Sequence, residues 1–310
     1  MDKQLLQKIN RALENIKVDN LSQVAADAMQ ARLKEELDWA DASPGLWACI
    51  KLLSDVAAKV RTAGIVTSPG YGYFNSSLLL YLTGVTRVNP VLWDLPFSFF
   101  LEYFGPNNDL VLETGTGGVA VAEKVLEGRD EIIAETEPGT FQITFTEVIP
   151  EMTFQLHVIE NEDLDRFKRI LKGGWRPLTE KVLYKFNLGL TDGSVWFETD
   201  KMRGWLSEFE PESMSDLCLL RALNSPRRIH LYKEILRRKQ NPGSIPSTGD
   251  PRVDRILQET YGILVYKEQA HLLQQIGVEV PEHGYPLALK GEEVARTMLS
   301  VEALWPKSRP

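Results

Sequence analysis

The chain has 310 residues, of which 43% are hydrophobic, and this length and composition suit one large globular domain or two modest ones. Its formal net charge is -8, the wrong sign for a protein whose whole surface attracts phosphate, so any nucleic-acid binding must be local. The sequence has no apolar signal core, no membrane-spanning run of about eighteen residues and no metal-binding cysteine spacing, which predicts a cytoplasmic protein without a membrane partner or a zinc site.

The N-terminal part of the chain has a helical pattern. From Asp2 to about Val60, apolar residues recur at three- and four-residue spacings, which predicts two or three helices. The segment GIVTSPGYGY, residues 64–73, predicts a short buried strand that runs into a glycine-rich turn. Ser76 to Leu82 is then typical of a helix that follows such a turn.

The middle of the chain alternates between strand and helix patterns. Asp109 to Glu113 predicts a strand, and Val119 to Glu127, after a glycine turn, predicts a helix. Residues that favour β-structure predict three further strands, at Gln142–Thr146, Thr153–Val158 and Val182–Leu190. Asp163 to Leu171 predicts another helix, and from Thr199 onward the chain is predicted to be mainly helical.

Basic residues concentrate within this helical part, between Arg221 and Lys239. Only one acid, Glu234, lies among them, so the run predicts weak, salt-sensitive DNA binding, and a solvated helix face is the alternative. The basic residues are Arg221, Arg227, Arg228, Lys233, Arg237, Arg238 and Lys239. A Pro-, Gly- and Ser-rich loop is predicted to follow, from Asn241 to Pro251.

Several phrases occur in an order that is similar to a known family. Leu82 to Pro90 reads LTGVTRVNP, Lys185 to Leu190 reads KFNLGL, and Thr260 to Gln269 reads TYGILVYKEQ. These phrases resemble, in the same order, those of the bacterial DNA polymerase III alpha subunit family, whose last phrase is TYGxxxYQEQ. The residues from Val195 to Met202, together with Pro211, resemble another stretch of the same family more loosely.

The resemblance implies an α+β fold, with a mixed-sheet polymerase palm of the nucleotidyltransferase kind and a mainly helical fingers-like region. It implies a helical N-terminal part at residues 1–60 that packs on the palm. A shortened palm and thumb-like domain would follow at residues 61–195, and the fingers-like domain would occupy residues 196–310.

The chemistry of the family requires carboxylates that have changed in this chain. Nucleotidyl transfer uses two divalent ions held about 3.5–4 Å apart by clustered carboxylates. In the family these come from a strand that reads PDxDxD and from a third aspartate in KFDF. By this resemblance the positions fall on Val111, Glu113 and Asn187. We therefore expect no catalytic residues and no cofactor. A weak single Mg²⁺ on Asp109 and Glu113 is the alternative.

The glycine loop has changed as well. Where the family reads GPGRGS, this chain has Tyr71 at the position of the arginine and Tyr73 at that of the serine, between Gly70 and Gly72. Two bulky rings are therefore expected in the space that would hold a triphosphate. Lys185, which the resemblance assigns to the same nucleotide site, is retained.

Three functional hypotheses remain open. The first is an inactive polymerase-like protein that binds DNA, or another replication or repair protein, in replication, repair or a mobile element. The second is a DNA polymerase of reduced, Mg²⁺-dependent activity. The third is an S-adenosylmethionine-dependent methyltransferase, because DLVLETGTGG, residues 109–118, resembles a cofactor-binding strand and turn, with Glu135 as the ribose-binding acid.

Overall fold

The computed structural model describes residues 3–18, 22–42, 44–107, 109–127, 129, 132–145, 152–167, 178–280 and 287–304. The chain divides into two compact units, Met1–Leu171 and Lys172–Pro310. Unit 1 contains helices and a mixed sheet, and the described part of unit 2 is helical, so the predicted α+β class is confirmed. The division into these units falls at residue 171, and the domain boundaries at residues 60 and 195 stay predictions. The N-terminal helices and the sheet share one core, and residues 180–187 pack in the core of unit 2.

Unit 1 begins with three helices, as the helical period predicted. They are α1 (Lys3–Val18), α2 (Gln23–Asp41) and α3 (Pro44–Thr62), and they are followed by α4 (Leu78–Leu82) and α5 (Phe97–Asn107). The Glu36 carboxylate of α2 is buried against the start of α4, where it accepts hydrogen bonds from the Leu78 and Leu79 amides at 2.8 and 2.9 Å. Trp39 packs edge-on against three phenylalanines of α5. These contacts bind the N-terminal helices to the rest of the unit.

The sheet of unit 1 has four strands in the order β1-β4-β3-β2. They are β1 (Asp109–Thr114), β2 (Ile132–Glu137), β3 (Thr140–Phe145) and β4 (Met152–Glu160), and α6 (Gly118–Leu126) follows β1. β1 runs parallel to β4, and the other pairs are antiparallel. The predicted strands at 109, 142 and 153 and the helix at 119 are therefore present. Residue 146 lies outside the described residues.

Two predicted elements of unit 1 differ from the structure. Residues 64–73 do not form a strand, because only Thr67 bridges to β1, and Gly72 begins a 3₁₀ helix that runs to Ser76. The predicted helix at residues 163–171 is a 3₁₀ helix, Glu162–Phe167, and residues 168–171 lie outside the described part.

The alternation of β1 gives the sheet two different faces. Leu110 and Leu112 point into the core, which is closed by α3 and α6. Asp109, Val111 and Glu113 point to the opposite face, on which the neighbouring strand places polar residues such as His157. The positions that the family resemblance assigns to metal ligands on β1 therefore lie on the polar face.

Unit 2 consists of seven helices in its described part. They are α7 (Glu180–Asn187), α8 (Asp200–Phe209), α9 (Met214–Leu223), α10 (Tyr232–Gln240), α11 (Pro251–Leu257), α12 (Lys267–Gln275) and α13 (Lys290–Leu304). The predicted strand at residues 182–190 is wrong, because this segment forms α7. Thr179 caps it by accepting a hydrogen bond from the Val182 amide, and Val182 and Phe186 are buried at a spacing that suits a helix.

Among the described residues, no helix combines the length and the apolar character needed to cross a bilayer.

Candidate functional site

The polar face of the sheet holds the first group of predicted site residues. The Glu113 side chain is only 7% exposed, and Asn161 Nδ2 donates a hydrogen bond to its carboxylate at 2.7 Å. Asp109 Oδ1 lies 3.9 Å from His157 Nε2, and the other ring nitrogen of His157 is 3.2 Å from the Thr140 hydroxyl. Both carboxylates thus contact neighbouring polar side chains.

These two carboxylates do not fit a Mg²⁺ ion held by both. Asp109 and Glu113 are four residues apart on one strand, which separates their Cα atoms by about 13 Å. Mg²⁺ requires oxygen ligands at about 2.1 Å, and the residue between them on the same face is Val111, which offers no oxygen. Nor do the described residues contain any cluster of three His, Cys, Asp or Glu side chains suited to a metal ion. Two-metal chemistry therefore has no ligand set on this strand.

The glycine loop lies next to the same strand. Gly70 and Tyr71 line a cavity together with Val111 and Glu113, so the structure brings the predicted nucleotide loop and the predicted metal positions of β1 together. The cavity has a volume of about 10 Å³, which is room for one water molecule at most. A nucleoside triphosphate cannot occupy it in this conformation.

Side chains fill the space around the loop. The Asn75 side chain folds back over Gly70. A residue with a side chain at position 70 would place its Cβ only 1.6 Å from Asn75 Oδ1. The Tyr73 ring stacks on Tyr103 with centroids 5.8 Å apart, and its hydroxyl donates a hydrogen bond to the Asp109 carbonyl at 3.1 Å. Burial raises the pKa of Tyr73 to about 12, so its hydroxyl stays neutral at physiological pH and keeps the proton of this hydrogen bond. Gly72 has a φ of +50°, which glycine adopts without strain.

The remaining positions of the predicted active site belong to unit 2. Asn187 is the last residue of α7 and not part of a strand, and its carbonyl accepts a hydrogen bond from the Ser207 hydroxyl. Lys185 Nζ donates to the Leu304 carbonyl at 2.5 Å, at the C-terminal end of α13. A cation at a helix C-terminus is stabilising, which gives the retained lysine a structural contact within unit 2.

Most cations of the predicted basic patch bind acids or carbonyls of unit 2. Arg221 forms a buried ion pair with Glu293 at 2.6 Å. Lys239 Nζ lies 3.1 Å from a Glu212 oxygen and 3.5 Å from an Asp216 oxygen. Hydrogen bonds from Arg237 and Arg238 hold the pKa of Glu234 at about 2. Arg228 Nε donates to the Ala222 carbonyl. Two cations of the patch, Arg227 and Lys233, are exposed and form no ion pair with a described residue.

The phrase TYGILVYKEQ forms a network of buried hydrogen bonds. The Gln269 carbonyl oxygen accepts from the Val265 and Tyr266 amides, each at 3.1 Å. Its amide nitrogen donates to the Ile256 carbonyl at 3.1 Å and to the Thr260 hydroxyl at 2.9 Å. The buried Glu268 carboxylate accepts from the Lys290 and Gly291 amides, at the start of α13. Each of these polar side chains therefore joins parts of unit 2.

Arg238 completes this network from α10. Its Nη1 donates to the Tyr261 carbonyl at 2.9 Å and to the Gly262 carbonyl at 3.1 Å. Tyr261 has a φ of +55°, which is uncommon for a residue with a side chain, and Gly262 has a φ of +76°. Sequence reasoning did not predict this role for Arg238. The one indication in the sequence was that Arg238 precedes the TYGILVYKEQ phrase.

Two family descriptions match this chain. Residues 3–107 match the bacterial DNA polymerase III alpha NTPase domain, and residues 147–281 match the bacterial DNA polymerase III alpha subunit finger domain. The chain belongs to the bacterial DNA polymerase III alpha subunit family.

Individual polymerase III alpha subunits are similar over shorter segments. That of Treponema pallidum is 38% identical over 79 residues, which are 26% of this chain and 7% of that protein. That of Xylella fastidiosa is 36% identical over 104 residues, 32% of this chain and 8% of that protein. That of Staphylococcus epidermidis is 29% identical over 94 residues, 30% of this chain and 9% of that protein. The aligned segments thus span less than a tenth of the length of these relatives.

The two matched ranges of this polymerase III alpha-like chain do not include β1. The glycine loop falls in the first range, and the TYGILVYKEQ network and the basic patch fall in the second. Residues 108–146, which contain Asp109, Val111 and Glu113, lie between them. Family similarity therefore extends over the scaffold on both sides of the strand that should hold the metal ions.

The methyltransferase hypothesis does not agree with the sheet. A cofactor-binding acid should lie on the strand beside β1, whereas Glu135 is on β2, three strands away and about 14 Å across the sheet. Its carboxylate accepts a hydrogen bond from the Gly139 amide of the following turn. The amides of Gly117 and Val119 donate to the Glu160 carboxylate, so the glycine turn already has an anionic partner within the chain.

Proposed function

We propose that this member of the polymerase III alpha family does not catalyse nucleotidyl transfer and acts in DNA replication or repair by binding nucleic acid or another protein. The observation that supports it best is the cavity of about 10 Å³ where Gly70 and Tyr71 meet Val111 and Glu113. A site for a triphosphate and two cations needs more volume than this cavity has, and more oxygen ligands than its lining residues offer.

Two independent changes support the proposal. Val111 removes an oxygen ligand from the strand, and Tyr73 fixes a ring beside it through its hydrogen bond to the Asp109 carbonyl. Either change alone would disturb catalysis, since phosphoryl transfer depends on placing metal ions and phosphates within tenths of an ångström. The scaffold contacts of Gln269, Glu268 and Arg238 are intact. We infer that selection has kept the fold and not the reaction.

Primer extension tests this proposal. The full chain is incubated with a primed DNA template, the four nucleotides and either Mg²⁺ or Mn²⁺, and the polymerase III alpha subunit of Xylella fastidiosa serves as the positive control. We expect no extended product from the chain under conditions in which the control extends every primer. A product that disappears in the Glu113→Ala variant would overturn the proposal and establish a reduced, metal-dependent polymerase.

A further inference from the structure

A cavity of about 190 Å³ lies in unit 2 between α11 and the loop that precedes it. Its apolar part is lined by Ile245 and Pro246 of the loop and by Leu257 of α11. An apolar cavity of about 150 Å³ is enough to take up benzene, so this one has room for a six-membered ring with a short polar arm. None of its lining residues belongs to the predicted active site or to the predicted basic patch.

The polar wall of the cavity is built around the Asp254 carboxylate. Its Oδ1 accepts hydrogen bonds from the Thr248 amide at 2.9 Å and the Thr248 hydroxyl at 2.7 Å, and its Oδ2 accepts one from the Ser247 hydroxyl at 2.6 Å. A carboxylate offers about four acceptor positions, so about one of them, on Oδ2, is not used by these donors. The loop therefore holds the carboxylate in place and leaves it able to accept one further hydrogen bond.

Asp254 also gives the cavity a negative charge. It is the one charged residue among the described residues that line the cavity. The hydrogen bonds from Ser247 and Thr248 lower the pKa of Asp254, so the carboxyl group is ionised at neutral pH. No described cation forms an ion pair with it, because Arg252 binds Asp250 instead, at 2.7 Å, and Arg255 does not line the cavity.

We propose that this cavity binds a small organic ammonium compound, whose apolar ring lies against Ile245, Pro246 and Leu257 and whose ammonium group donates a hydrogen bond to Oδ2 of Asp254. An anionic ligand would be repelled by the carboxylate, and a neutral one would form a weaker hydrogen bond with it. Binding costs little reorganisation of the carboxylate, since Ser247 and Thr248 already hold it. The site is a further one, independent of nucleotidyl transfer and of nucleic-acid binding.

Proton NMR titration of the full chain with 2-phenylethylamine at pH 7 tests the cavity. We expect a dissociation constant of about 1 mM, which is ordinary for so small a ligand. The neutral analogue 2-phenylethanol should bind about tenfold more weakly, because it lacks the charge-assisted hydrogen bond. Phenylacetate, which is anionic, should bind more weakly still. Equal affinities for the three compounds would overturn the proposal.

Asp254→Asn tests the charge while keeping the shape of the side chain. It should weaken binding of 2-phenylethylamine about tenfold and change binding of 2-phenylethanol by less than about twofold. Asp192→Asn is the matched control, because Asp192 is an exposed acid of the same unit that does not line the cavity, and it should bind both compounds as the wild type does. An equal loss in Asp192→Asn would assign the effect to net charge and overturn the proposal.

A second variant leaves the hydrogen bonds of the loop in place. Gln258 lines the cavity, is exposed and forms no side-chain hydrogen bond with a described residue. Gln258→Lys therefore adds a cation to the wall, and it should weaken binding of 2-phenylethylamine about fivefold without weakening that of 2-phenylethanol. Unchanged binding of the amine by both Asp254→Asn and Gln258→Lys would overturn the site.

A lysine derivative distinguishes a free amine from a side chain of a partner protein. Nα-acetyl-lysine N-methylamide has the same ammonium group on a flexible stem without a ring. It should bind about fivefold more weakly than 2-phenylethylamine, because ordering the stem costs entropy. Tighter binding of the lysine derivative would overturn the assignment to a small molecule. Neither primer nor nucleotide is present in these titrations, so their failure is separate from a failure of the proposed function.

Discussion

Gln269→Ala should destabilise unit 2 strongly. The Gln269 side chain is 2% exposed and makes hydrogen bonds to two backbone amides, one carbonyl and one hydroxyl, all within 3.1 Å. Alanine leaves these groups without their partner and creates a cavity. Each lost hydrogen bond costs about 1 kcal/mol net, and a buried group left unsatisfied costs more. We expect the free energy of unfolding to fall by about 3–5 kcal/mol.

Urea unfolding followed by hydrogen exchange and mass spectrometry measures this loss for each unit separately. At a urea dependence of about 2 kcal/mol per molar, the midpoint for peptides of α11 and α12 should fall by about 2 M. Peptides of the sheet in unit 1 provide an internal reference.

Gln274→Ala is the matched control, since Gln274 lies on the same helix with an exposed side chain. It should change the free energy of unfolding by less than about 0.5 kcal/mol. Equal midpoints for Gln269→Ala and Gln274→Ala would refute the view that TYGILVYKEQ persists for structural reasons.

Two further predictions concern other buried or paired charges. Arg238→Lys should lower the unfolding free energy of unit 2 by about 1–3 kcal/mol in urea melts. The reason is that an ammonium cannot reach Glu234 and the carbonyls of Tyr261 and Gly262 together. Arg237→Lys is the control, because Arg237 is exposed, and it should have a much smaller effect. Burial raises the pKa of Glu36 to about 7 from an ordinary value of 4.5, so the folded state binds its proton more tightly than the unfolded state. The resulting stability is complete below pH 4.5 and is lost as the pH rises through 7, a change of about 3 kcal/mol. In thermal melts recorded at several pH values, Glu36→Gln should remove this dependence of stability on pH. An unchanged pH dependence would show that Glu36 is not its source.

Local patterns predicted much of the fold. The helical period of the first sixty residues and the alternation around β1, β3 and β4 correspond to elements of the structure. Such patterns depend on which face of an element is buried, and that information is local. The segment at residues 182–190 was misassigned because valine, tyrosine and phenylalanine favour strands, whereas the Thr179 cap and the core contacts of Phe186 favour a helix.

Long-range pairing accounts for most of what the sequence could not predict about the candidate site. Arg221 and Lys239 read as free charges, but their acids, Glu293 and Glu212, come from residues far along the chain. The retained family phrases identified the ancestry, and the structure shows that the last of them lies in a network of contacts within unit 2.

The central claim is that β1 has lost the ability to hold the two cations of the polymerase reaction. Electron paramagnetic resonance of Mn²⁺ in the presence of the chain and a deoxynucleoside triphosphate measures this directly. We predict that the chain binds no more Mn²⁺ than its Glu113→Ala variant does. Two Mn²⁺ ions per chain that are lost on Glu113→Ala would contradict the account.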